Sequence, residues 1–156
     1  MSDGSGWVDC SCGQRHWGIH GAAGVVIVHA QTDSVLMQLR AAWTHGGSTW
    51  SFPGGARALH ESAVDAAMRE LFEEMQIDAA SVEVLHEQVW TDHGDWRYHT
   101  VIARAVANIE PILNDESDAA EWVAFEDVAE LPLHSGLAPI WPDVLQAIRN
   151  VSRTSD

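Results

Sequence analysis

Apolar residues first gather at positions 19–28, where four small residues, Gly21 to Gly24, lead into Val25, Val26, Ile27 and Val28 without a polar break. A continuous β-branched run of strand length predicts a strand buried on both faces. Polar residues at 31–34 mark a turn, and Val35, Leu36, Met37 and Leu39 predict its antiparallel partner over 35–40, so the two form a hairpin. A short strand is expected at 49–52, followed by Pro53, Gly54 and Gly55, which read as a turn permitting tight backbone approach. The period then changes. Val64, Ala67, Met68, Leu71 and Met75 recur at helical spacing, with Ser62 placed to cap the amino end and Asp65 three residues later to complement the helix dipole. Strands at 82–91 and 96–109, joined around His93-Gly94-Asp95, predict a second hairpin, and 121–125 a last strand. A short helix at 126–131 and a longer one opened by Pro142 and striped by Val144, Leu145, Ile148 and Val151 complete the order.

Nothing in this pattern repeats or divides into self-sufficient halves, and 156 residues with 46% apolar content suffice for one real core. The expectation is one domain over 1–156, with disordered tails at 1–6 and 152–156. No apolar run could span a bilayer, and the first six residues lack the basic start and apolar stretch of a signal peptide, so a cytoplasmic protein away from membranes is expected. A net charge of −15 argues against polymeric nucleic acid, where neutralising phosphates supplies most of the affinity. A small phosphate ester carried with a cation stays compatible. The oligomeric state, monomer or homodimer, is left open.

The densest chemistry lies on the first helix. At about 100° per residue, Glu70, Glu73 and Glu74 project from adjacent positions on one face with Arg69 at its edge. Like charges so placed destabilise a bare helix by a few tenths of a kcal/mol per pair. The cluster therefore points to a hard divalent cation, Mg²⁺ or Mn²⁺, bound through carboxylate oxygens.

With Gly55, Glu61 and Ile77, these residues follow the pattern G-x5-E-x7-R-E-U-x-E-E-x-G-U, where U is bulky and apolar. The chain thus resembles the Nudix hydrolases. One position departs: Gln76 stands where the box has its second glycine, which puts the helix exit in question and no carboxylate. The resemblance implies an α+β fold, an α/β/α sandwich with a curved mixed sheet between two main helices. It implies Glu73 and Glu74 as principal metal ligands, Glu70 as a further ligand or the base acting on the attacking water, and the Gly54 carbonyl as an extra ligand. Arg69 would pair with Glu61 or Glu70 and fix their rotamers. Related enzymes bring another acid from the loop before the last strand. Glu116 is that candidate, with the choice against Asp118 open, and Ala119 lacks an acid often seen there.

Further segments, His16-Trp17-Gly18, 21–24, 49–55 and 131–134, are similar to MutT-like nucleotide-pool enzymes that cleave oxidised guanosine triphosphates. The implied reaction is Mg²⁺-dependent hydrolysis of a nucleoside triphosphate, with 8-oxo-dGTP or 8-oxo-GTP foremost, to monophosphate and pyrophosphate. The marker tyrosine of diadenosine-polyphosphate hydrolases and the marker proline of ADP-ribose hydrolases are missing from the expected place, occupied here by His93, Gly94 and Asp95. ADP-ribose, dinucleoside polyphosphates, sugar nucleotides and a non-catalytic nucleotide sensor remain the alternatives.

Other residues leave their roles open. Arg40 at a strand end could meet phosphate or simply be exposed, and His134 could line the far side of a cleft or cap the short helix. Gly54, Gly55 and Phe52 join them as candidate substrate contacts. A purine needs an aromatic face, and Trp50, Trp90, Trp96 and Trp122 are available besides Phe52, although each suits a sheet core. Cys10-Ser11-Cys12 with His16 and His20 offers four soft or borderline ligands, the number a closed zinc site needs. A C-x-C pair lacks the usual gap of about two to four residues, so reduced thiols on an ordinary amino-terminal segment are expected.

Overall fold

The computed structural model describes residues 4–154. A small antiparallel hairpin comes first, β1 (Trp7–Asp9) and β2 (Arg15–Trp17), standing as its own two-stranded sheet. The main sheet holds β3 (Ala22–His29), β4 (Ser34–Arg40), β5 (Trp50–Ser51), β6 (Gly54–Ala56), β7 (Val82–Asp92), β8 (Arg97–Ala105) and β9 (Ser117–Ala124). Its helices are α1 (Ala63–Met75) and α2 (Trp141–Thr154). This is the expected mixed sheet between two helices.

β3 is the spine. It runs parallel to β8 from Ala22↔Tyr98 to Val28↔Arg104, while the remaining pairings are antiparallel. Alternate residues of β3 serve opposite faces. Ala23, Val25 and Ile27 join Leu36, Val101 and the α1 residues Ala66, Ala67, Leu71 and Met75 in one core. Val26 and Val28 join Val35, Met37, Ile102 and the α2 residues Val144 and Ile148 in the other. Burial on both faces explains the unbroken apolar run.

On its other edge β3 has two partners in succession. Its far end pairs with β4 through Val28↔Val35 and His29↔Ser34, and its near end pairs with β6 through Ala22↔Ala56, Ala23↔Gly55 and Gly24↔Gly54. The hairpin therefore opens, and the residues expected as a simple turn before the helix enter the opening as a strand. That places the start of α1 beside the sheet's centre.

Ser62 caps α1 by accepting from the Asp65 amide at 3.0 Å. At the exit, Gln76 takes the left-handed conformation (φ 53°, ψ 35°) and donates its amide to the Phe72 carbonyl. The helix ends as a glycine would end it, at a steric cost of about 1 kcal/mol for a residue with a Cβ. The 112–114 segment then covers the helix end: Ile112 and Asn114 amides donate to the Met75 and Glu74 carbonyls, and the Asn114 side chain donates to Glu73 O.

Several boundaries differ from expectation. β3 starts at Ala22 because Gly18 and Gly21 turn the chain with positive φ. β9 begins at Ser117, ahead of the predicted 121, and the short helix is a 3-10 turn over Phe125–Glu130. The expected amino-terminal tail is ordered from Gly4, whose carbonyl accepts from Ile19 N, and helix α2 continues to Thr154. Residues 1–3 and 155–156 of the expected tails lie outside the described residues. No helix among them is long and apolar enough to cross a membrane.

Gln76→Gly should raise stability by about 0.5–1 kcal/mol, since the Phe72 hydrogen bond stays while the left-handed strain goes. Chemical denaturation with an unchanged m-value would verify it; equal midpoints would show that Gln76 carries no strain.

Candidate active site

The carboxylates of α1 can reach the sheet because the sheet offers no side chains where they land. A Cβ at Gly55 would lie 2.5 Å from the Glu70 carboxyl carbon. One at Gly54 would lie 2.5 Å from Ala23 O and 2.6 Å from Gly24 Cα. The Gly54 amide donates to Glu74 Oε2 at 3.0 Å, and Glu74 is 4% exposed. Above Gly24 and Gly54 sits the Tyr98 hydroxyl, which any Cβ on Gly24 would strike. Gly55 thus lets the Glu70 carboxylate approach the sheet, while Gly24 and Gly54 let their two strands and the Tyr98 hydroxyl pack closely beneath it.

Arg69 organises the acids. Its Nε and Nη2 donate to the two oxygens of Glu61, both at 2.8 Å, in a fork that suits a planar guanidinium. Nη2 also donates to Ala56 O at 2.9 Å, and Nη1 to Glu70 Oε1 at 2.9 Å and Glu73 Oε1 at 3.4 Å. Ala58 N donates to Glu61 Oε1, and Arg57 Nη2 to Glu61 O. The loop before α1 is thereby tied to the helix face.

The acids differ sharply in environment. The Arg69 fork holds Glu61 below the usual carboxylate range. Burial pushes Glu70 up against the opposing pull of Arg69, with Glu73 and Glu116 adding repulsion. Glu74 goes well up, again through burial first and then the Glu70 charge, with Glu116 in the same sense and Gly54 N–H and Arg40 opposing. The charges of Glu116 and, for Glu74, Arg40 therefore reach the carboxylates of α1. The backbone explains how: Ala41 N donates to Glu116 O, and β4 pairs Arg40 with Ser117.

Arg40 extends towards a second wall, donating Nε to His45 O at 2.8 Å. His134 packs its ring on Gly46 and accepts from Gly136 N through Nδ1 at 3.0 Å, closing its own turn. Burial, with Arg40 and His45 nearby, lowers its pKa. The Arg40 charge thus acts on both Glu74 and His134, and His134 both packs on Gly46 and closes a turn.

Of the aromatic candidates, Phe52 needs correction, while Trp50, Trp90 and Trp122 pack on the cores as a sheet position suggests. Phe52 is buried against Trp141 in the α2-side core, with no ring face left for a substrate. Trp50 and Trp90 pack on that core, Trp122 on the α1-side core, and Trp96 stacks on His16. The ring that sequence reading missed is Trp43, 69% exposed, its indole N–H donating to Asp115 O beside Glu116. Only the tertiary contact between two loops marks it.

The donor set fits a hard divalent cation. Glu70 and Glu74 are raised first by burial and then by the charges of neighbouring carboxylates, Glu116 among them, and a cation there would offset that repulsion. Among the described residues no three carboxylates bring their oxygens within 4.8 Å of one another, and Glu73, exposed, leans to Arg69.

Comparison with known proteins places this arrangement. The NUDIX domain family matches residues 18–144, and the chain belongs to that family. It is 42% identical over 147 residues to the Mycobacterium tuberculosis protein named "Putative 8-oxo-dGTP diphosphatase 3", covering 89% of this chain and 68% of that one. The same identity and length relate it to a Bifidobacterium longum "Nucleoside triphosphate pyrophosphatase/Nudix hydrolase fusion protein", of which the match spans 30%. Among solved structures, a Nudix hydrolase from M. smegmatis, RenU, superposes with a TM-score of 0.83 at 39% identity, over 97% of this chain and 96% of that one.

The raised carboxylates carry a sign for stability. A carboxyl that holds its proton more tightly folded than unfolded favours the folded state at acid pH, and that contribution is lost as pH climbs from the ordinary carboxylate range through the raised value. Glu74→Gln keeps an acceptor for Gly54 N–H and deletes the buried charge. In chelator-treated protein it should raise the Tm at pH 8 by several degrees and leave it nearly unchanged at pH 4.5. A variant Tm at pH 8 at or below that of the native sequence would contradict the assignment.

Proposed function

We propose that this chain hydrolyses a nucleoside triphosphate to monophosphate and pyrophosphate, with Mg²⁺ and with an oxidised guanine nucleotide such as 8-oxo-dGTP as the preferred substrate. The observation that carries the reading is the buried Glu74 held by the Gly54 amide, with Glu70 and Glu116 around it and the Arg69–Glu61 fork behind. The substrate choice is supported by the 42% identity to the mycobacterial protein whose name specifies 8-oxo-dGTP.

Glu70, Glu73, Glu74, Glu116 and the Gly54 carbonyl would hold the cation. When bound it supplies neutralisation of phosphate oxygens and a lowered water pKa. The protein's own part is positional and protonic. Glu70, whose pKa burial has raised, would take a proton from the attacking water, its carboxylate held by Arg69, which Glu61 anchors in turn. Arg40, whose charge reaches Glu74 from β4, offers positive charge to a phosphate. Trp43 offers the exposed ring on which a purine can stack, next to Glu116.

Incubation with Mg²⁺ and a panel of 8-oxo-dGTP, dGTP, ADP-ribose and diadenosine tetraphosphate should give monophosphate and pyrophosphate from the first at the highest kcat/KM. Preference for a diphosphate derivative would move the chain to that substrate class, and no turnover of any would leave a nucleotide sensor. Glu74→Gln should lower kcat by about a hundredfold or more with the fold intact.

Trp43→Ala should raise KM for the preferred nucleotide about tenfold, in line with the loss of one stacked base, and leave kcat within about twofold. An unchanged KM would remove Trp43 from the cleft.

A further inference from the structure

We propose that Cys10, Cys12, His16 and His93 form a closed, structural Zn²⁺ site that fastens the amino-terminal hairpin to the turn between β7 and β8. The site is separate from the carboxylate cluster, and residues 10–16 precede the part of the chain that the family match covers. Both cysteines are free thiols, as expected, and the proposal gives them a ligand role in place of an ordinary segment. His20, the nearby histidine, is not part of the set; His93, from the far hairpin, is.

Geometry carries the assignment. The ligand atoms of the four side chains all lie within 4.8 Å of one another. Cys10 Sγ is 3.4 Å from His93 Nδ1, Cys12 Sγ is 3.2 Å from His16 Nε2, and the two ring nitrogens are 3.2 Å apart. In tetrahedral zinc, with bonds of about 2.3 Å to sulfur and 2.0–2.1 Å to nitrogen, the sulfur–nitrogen edges are about 3.5 Å and the nitrogen–nitrogen edge about 3.3 Å. These three distances match edges of such a tetrahedron within a few tenths of an ångström.

Hydrogen bonds do not account for the same contacts. An imidazole nitrogen has one in-plane position, either a lone pair or a proton. His16 Nε2 has two close partners, Cys12 Sγ and His93 Nδ1, and His93 Nδ1 also has two, Cys10 Sγ and His16 Nε2. One proton per nitrogen cannot serve both. A central cation accepts all four lone pairs at once.

The surroundings are built to hold the ligands. Gly13, at φ +90°, lets the chain close a knuckle in which Gly13 N donates to Cys10 O, and Cys12 N donates to Cys10 Sγ at 3.4 Å. Ser11 N donates to Asp95 Oδ2 at 2.7 Å and Ser11 Oγ to His93 O at 3.3 Å, joining knuckle and turn. Trp96 stacks on His16 with centroids 4.3 Å apart. The hairpin needs such a fastening, because β1 and β2 form an isolated two-stranded sheet, marginal by itself. Two thiolates and two neutral imidazoles suit zinc, and four protein ligands leave no open position for catalysis. Binding deprotonates both thiols and releases their protons to solvent. From β1, Trp7 packs edge-on against His45 at 5.2 Å, so the fastened hairpin supports the wall that carries Arg40 and His134.

The test is zinc content of the full chain produced without a histidine tag, loaded with Zn²⁺ and freed of excess. One zinc per chain is expected, and Co²⁺ in its place should give the visible bands and sulfur charge-transfer absorption of a tetrahedral thiolate site. Cys12→Ser, at the exposed ligand, and His93→Ala should each weaken zinc binding about a hundredfold or more. His20→Ala and Glu74→Gln should keep it. Zinc below about a tenth of an equivalent in the native protein, retention in both ligand variants, or loss in Glu74→Gln would each overturn the proposal.

Discussion

Everything at the site depends on how closely a helix bearing acids can approach a sheet. Gly55 presents bare backbone where the Glu70 carboxylate arrives, Gly54 turns its amide to Glu74, and Gly24 leaves room beneath them for Gly54 and the Tyr98 hydroxyl. A methyl group at any of the three would meet atoms well inside van der Waals distance. The opened β3–β4 hairpin is the other half of this constraint, since only the inserted strand β6 brings two of those glycines into the sheet. Two cores of aliphatic side chains, one per face, then hold the distance fixed.

Within that frame, charge is distributed by one cation. Arg69 binds Glu61 through a two-point fork and touches Glu70 and Glu73 with its remaining nitrogen, so Glu61 stays firmly ionised. Glu74 lies beyond its reach among the described contacts, answered only by a backbone amide and the field of Arg40. A carboxylate left so poorly compensated destabilises the fold whenever it is ionised without a cation beside it. The unequal treatment of neighbouring glutamates is what distinguishes this face from a solvated acidic helix.

How much of this is legible in the chain itself follows the range of each interaction. The acids and Arg69 lie on one helix and its lead-in, so periodicity alone puts them together, and the alternating core of β3 reads as an unbroken apolar run. Strand β6 is harder to see, because its partner strand is remote and its two glycines look like a turn. Phe52 and Trp43 show the limit most clearly: nothing local says that the first faces Trp141 and the second faces solvent beside Asp115. His93 is invisible for the same reason, its neighbours Cys10 and His16 coming from the opposite end of the chain, whereas His20 is near in sequence and belongs elsewhere.

The parallel pairing of β3 with β8 carries a kinetic consequence. These strands come from the two halves of the chain, so the central ladder closes only after β4, β6, α1 and β7 have all been synthesised and the long intervening loop has been gathered in, an entropic delay before any reward. Until β8 docks, Tyr98 is not over Gly24 and the sheet beneath α1 lacks one side. A nascent chain emerging from the ribosome therefore carries its acidic helix over a sheet that still lacks β8, and Glu116, which lies beyond β8 in the chain, joins the acids around Glu74 late.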